Sequence, residues 1–120
     1  MKAYKMFQEE RGDLKSVYWH TIDEYKRIYI PYSKKGWNKR LDKMGPITAF
    51  KTLKDVKNFL DFYYDEYRDY RIFKIKGILS KENYVYDYFY NDDCVVRRKE
   101  NLPRGTILLD RFKIIKEVKI

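Results

Sequence analysis

The sequence predicts an α+β domain: a mainly antiparallel sheet packed against one principal helix, at about residues 53–67. Three observations carry this. Leu53, Val56, Phe59, Leu60, Tyr63 and Tyr67 recur at helical spacing, an apolar stripe of about four turns. Arg71 to Leu79 alternates instead, with Phe73, Ile75 and Gly77 set against Ile72, Lys74 and Lys76. The chain is also rich in aromatic side chains that suit half-buried sheet faces, with 13 Tyr, 7 Phe and 2 Trp in 120 residues. That length is expected to form a single domain, 1–120.

In chain order, Ala3 to Phe7 reads as a short strand, followed by a polar turn at Gly12-Asp13. Leu14 to Ile22 is apolar and β-prone, with Val17, Trp19 and Thr21 alternating against Tyr18, His20 and Ile22. Lys26 to Tyr32 reads as a third strand. Pro31 lacks an amide donor, so it should close that strand or lie on an edge. Together these segments predict an antiparallel meander. Ser33 to Pro46 has no periodicity and reads as a loop, and Ile47 to Phe50 as a short strand leading to the helix. Thr52 is the expected N-cap, with Asp55 three residues on to reach back toward the first free amides. After the helix, Arg71–Leu79, Tyr84–Tyr90 and Cys94–Arg97 read as strands, and Pro103-Arg104-Gly105-Thr106 as a turn. Ile107–Leu109 and Phe112–Ile120 complete the sheet, with Phe112, Ile114, Val118 and Ile120 expected on one face.

The net charge of +9 is concentrated between Lys26 and Lys54. Lys26, Arg27, Lys34, Lys35, Lys39, Arg40, Lys43, Lys51 and Lys54 stand there against Asp42 alone. Tyr25, Tyr29, Tyr32 and Trp37 are threaded through the same stretch. A merely soluble surface intersperses both signs, whereas this field attracts polyanions. The expected binding residues are therefore Lys26, Arg27, Tyr29, Tyr32, Lys34, Lys35, Trp37, Lys39, Arg40 and Lys43. The cations would track a phosphate backbone, and Tyr32 or Trp37 would stack on an unpaired base. Arg97-Arg98-Lys99 would extend the patch if the fold brought it alongside. An acidic protein surface would satisfy the same charges.

Other chemistries find less material. His20 lies in an alternating strand near Asp23 and Glu24, where a packed or solvent-facing histidine is the ordinary case. Cys94 follows Asn91-Asp92-Asp93, an acidic setting that disfavours the thiolate. One Cys and one His cannot furnish a four-ligand zinc set, and no glycine-rich turn feeds a helix, so no metal or nucleotide cofactor is expected. Asp110 with Glu117-Val118-Lys119 resembles the Asp…Glu-x-Lys pattern of one nuclease superfamily, and Asp23 with Glu24-Tyr25-Lys26 repeats it. In a chain that is 38% charged such triplets arise by chance, and metal-dependent nuclease activity is the alternative to simple binding. Met1-Lys2-Ala3-Tyr4-Lys5 has no apolar signal-peptide core, no run approaches membrane-spanning length, and the lone cysteine fits a reducing compartment. A cytoplasmic setting without membrane partners is expected.

Three stretches taken together resemble a loose group of small α+β proteins of phages and mobile elements. They are Tyr4-Lys5-Met6-Phe7 with Gly12-Asp13-Leu14-Lys15-Ser16, then Pro46 to Val56, and Leu102-Pro103-Arg104-Gly105-Thr106 with Glu117-Val118. The resemblance rests on fold-forming residues and transfers no functional side chain. It implies an accessory acting on a host machine, such as an anti-CRISPR-like inhibitor of a defence complex, working in the cytoplasm of the host cell. The expectation is a non-enzymatic basic module that engages a nucleic acid or nucleoprotein.

Overall fold

Alternation along β1 (Lys2–Glu10) sends Ala3 and Phe7 to one side and Tyr4 and Met6 to the other, and both sides find a core. The computed structural model describes residues 1–16, 20–23, 26–28, 31–40, 45–63, 70–88 and 94–119. After β1 come β2 (Asp13–Ser16), β3 (His20–Asp23), β4 (Lys26–Ile28), β5 (Pro31–Tyr32), β6 (Trp37–Lys39) and β7 (Ile47–Phe50). Helix α1 (Leu53–Tyr63) then precedes β8 (Tyr70–Leu79), β9 (Tyr84–Tyr88), β10 (Cys94–Arg98) and β11 (Thr106–Val118).

The ladders are antiparallel throughout the described residues, and the main sheet curls back on itself. One edge of β1 pairs with β8 and the other with β2 and β7. Likewise β11 pairs with β8 on one edge and with β7 and β6 on the other. The circuit β1–β8–β11–β7 therefore closes into a small barrel-like sheet, extended by β5 on β2. Ala3, Phe7, Leu14, Tyr32, Ile75, Leu109 and Phe112 are among the buried residues that fill its inside. Helix α1 packs on the outside, where Val56, Phe59 and Leu60 meet Met6, Phe50 and Ile72. The sheet dominates this α+β fold.

The expected cap is present. The Asp55 amide donates to Thr52 Oγ1 at 3.1 Å, and the Thr52 amide donates to Asp55 Oδ2 at 3.2 Å. Gly105, at φ +85°, lies so close to the Asp55 carboxylate that no Cβ would fit, and its carbonyl accepts from the Lys51 amide at 2.8 Å. The cap is thereby locked to the turn that starts β11. Helix residues expected beyond Tyr63 lie outside the described residues.

Other expectations need correction. The meander exists as β1–β2–β5, and β3 pairs antiparallel with β4; residues 17–19 and 29–30, between these two ladders, lie outside the described residues. Ser33–Pro46 is not wholly loop: Gly36 turns the chain at φ +76°, and β6 then pairs with β11. Three residues are too few to show a period, and the inward one is polar. Asn38 is buried and ties β6 to the residue that follows β5 through its amide, which donates to the Ser33 carbonyl at 2.9 Å and accepts from the Ser33 amide at 2.8 Å. Ile107–Leu109 and Phe112 onward form one strand with register shifts between Leu109 and Arg111 and between Ile114 and Lys116. The second shift changes the phase, so Phe112 and Ile114 face the interior while Val118 packs with the helix layer, not beside them as expected.

Candidate functional site

Paired residues of an antiparallel ladder share a face, so the register shows what the outside of the barrel displays. Lys2 pairs with Lys76, Lys76 with Lys113, and Lys113 with Trp37, one row across β1, β8, β11 and β6. The neighbouring row holds Ile78, Arg111 and Lys39, and the row on the other side holds Tyr4, Lys74 and Lys116. Seven cations thus occupy one outer sheet face, and no acidic residue stands at these register positions. All seven are exposed except Lys74, which is half-buried. Neighbouring strands lie about 4.8 Å apart, so the members of one row are that close, and successive rows, i to i+2 along a strand, are about 6.7 Å apart. Two like charges about 7 Å apart in water repel by about 0.6 kcal/mol. The face therefore carries several such repulsions that an anion would relieve.

Whereas Tyr4 packs against the helix layer, Trp37 is the exposed aromatic member of this lattice. It is 41% exposed, and the Arg111 guanidinium lies over its ring, 5.2 Å from the centroid. This is a cation–π contact that holds the ring beside the lysine rows. Ile78, paired with Arg111, is also exposed on this side.

At the margin, Arg40 donates to Glu82 Oε2 at 2.5 Å, and its Nε lies 3.3 Å from Asp110 Oδ1. That hydrogen bond holds the Glu82 carboxyl below the usual range and raises Arg40. Arg40 is thus engaged within the fold. At the end of the barrel, Arg71 bridges Glu9 at 2.9 Å and Glu117 at 2.7 Å. The hydrogen bond from Arg71 is the main cause holding Glu117 low, with smaller attractions from Lys119 and Lys34.

The expected site residues are therefore dispersed. Trp37 and Lys39 lie on the basic face. Lys34 and Lys35 are exposed on the turn before β6, where Lys34 lies near Glu117. Tyr32 is 7% exposed, packed edge-on against Phe7 and Phe112, so its ring is not available to stack on a base. Tyr29 and Lys43 lie outside the described residues, as do the side chains of Lys26, Arg27, His20 and Cys94. Arg97 and Arg98 belong to β10, in the separate ladder with β9. The main part of the face comes from lysines that the sequence scatters over β1, β8 and β11. The available signal was charge at alternate positions, Lys74-x-Lys76 and Arg111-x-Lys113, within otherwise apolar strands. Of the nuclease-like carboxylates, the side chains of Asp23 and Glu24 lie outside the described residues. Asp110 is held by Arg40 and Glu117 by Arg71, and no group of three potential metal ligands occurs among the described residues.

One lysine is treated in the opposite way. Lys5 lies inside the barrel at 2% exposure, with its Nζ donating to the Thr48 carbonyl at 2.5 Å. The rings of Phe7, Tyr32 and Phe112 surround it at 5.5, 5.7 and 6.0 Å. Burial pushes its amine down to about 7 and raises the Tyr32 phenol above its ordinary range.

No helix among the described residues is long and apolar enough to cross a membrane. Comparison with protein-family models, curated proteins and solved structures returned no significant match. The chemistry of the site rests on its own geometry.

Proposed function

We propose that this protein is a non-enzymatic binding module that engages the phosphate backbone of a nucleic acid, free or within a nucleoprotein, through the outer face of β1, β8, β11 and β6. The observation that supports this most is the alignment of seven cations over four strands, with no acid at the same register positions. Backbone recognition needs cations at regular spacing on a rigid support, and a closed sheet supplies both. A host defence complex, as the sequence resemblance implies, is one nucleoprotein of this class.

The test is a titration of labelled single- and double-stranded oligonucleotides at several salt concentrations. Log affinity should fall linearly with log salt, by about 0.7 per single-strand phosphate or about 0.9 per duplex phosphate neutralised. The variant K76E/K113E/K116E should lose at least about tenfold in affinity and lower the slope by about 2–3. K34E/K35E, on the turn, should change it far less. Absence of binding at low salt, or equal binding by the triple variant, refutes the reading. Retention of an acidic protein with no oligonucleotide binding would assign the face to a protein partner.

A further inference from the structure

Resting on that reading, we infer that the face selects single-stranded over double-stranded nucleic acid by stacking an unpaired base on Trp37, with the flanking phosphates over Lys76, Lys113 and Arg111. Trp37 pairs directly with Lys113, has Arg111 over its ring, and lies about 10 Å in strand spacing from Lys76. An indole kept 41% open amid cations is unusual for a surface that only needs solubility. Arg111 restrains the ring, so less rotamer freedom is lost when a base arrives.

The geometry separates the two ligands. In a duplex each base already stacks on its neighbours and offers only edges in the grooves. A ring rising from a sheet meets sugar and phosphate there and gains no stacking. A single strand splays its bases, and each presents a face to an aromatic side chain. Stacking is worth about 1–3 kcal/mol per base, or about 5- to 140-fold in affinity. The lysine rows supply attraction to either form, and Trp37 supplies the difference.

The experiment titrates a thymidine single strand and a duplex of equal length with the unaltered protein, W37A, W37F and K76E/K113E/K116E. Folding of each variant is checked by circular dichroism. W37A should weaken single-strand binding about 5- to 140-fold and duplex binding less than about twofold. W37F should retain most of the single-strand affinity, because a phenyl ring also stacks. Equal losses on the two forms with W37A, or no loss on either, overturn the inference while leaving the backbone-binding reading intact, provided that the triple variant fails on both. No binding of either form by the unaltered protein overturns both, as does binding to phosphatidylserine vesicles in place of oligonucleotides.

Discussion

Replacing Lys5 by methionine tests the barrel interior directly. The amine is 2% exposed and its value drops from 10.5 to about 7 through burial. Between these two values the unfolded chain holds a proton that the folded chain does not, so stability rises with pH across that window. Below about pH 7 both states are charged and the contribution is flat at its least favourable level. Integrated from pH 7 to 9.5, the linkage amounts to about 3 kcal/mol. Methionine has nearly the same length and volume, lacks the proton, and packs against Phe7, Tyr32 and Phe112 without a charge to desolvate. It also leaves the Thr48 carbonyl without the amine, at a cost of about 1–3 kcal/mol. The charge penalty at pH 7 is roughly 4–5 kcal/mol, so K5M should be more stable there by about 1–3 kcal/mol. Urea unfolding followed by fluorescence and circular dichroism, at half-unit steps from pH 6 to 9.5, measures both quantities. The unaltered protein should gain about 3 kcal/mol relative to K5M between pH 7 and 9.5. Parallel pH profiles of the two proteins, or a K5M less stable than the parent at pH 7, would refute a buried amine with a depressed value.

The other structural expectations concern the helix and the barrel end. T52A should lower stability by about 0.5–2 kcal/mol through loss of the reciprocal cap with Asp55. F59A should cost about 3–5 kcal/mol by opening a cavity between α1 and the sheet, while D61A on the exposed side should be near neutral in the same urea titration. Glu117 is held low by Arg71, so its contribution is present above the ordinary carboxylate value and is lost as pH falls through the lowered one. E117Q should therefore flatten part of the acid limb of the stability profile, and an unchanged acid limb would exclude that role.

What the sequence determined by itself was mostly local. The helix is recognisable because its cap, Thr52 and Asp55, and its apolar stripe lie within three turns of one another. The alternation of β8 is readable because each residue's face follows from its position along one strand. The same alternation announces charge at Lys74 and Lys76 but not which charges will stand beside them. Only the antiparallel register of β8 with β1 and β11 brings Lys2, Lys76 and Lys113 into one row, and this register joins residues up to 111 positions apart. Charge density along the chain pointed to Lys26–Lys54, yet the turn and β6 divide that stretch. Trp37 and Lys39 go to the face, Arg40 to an ion pair and Tyr32 to the core. The shift at Ile115 that turns Val118 toward the helix changes strand phase without a glycine or proline to mark it. Lys5 sits at an inward position like Ala3 and Phe7, and nothing in its neighbours' identities says that three rings and the Thr48 carbonyl will enclose it. Those partners come from β1, β5, β7 and β11, and they meet only when the sheet closes. Local periodicity decides which way a side chain points, and closure of the barrel decides what it meets there.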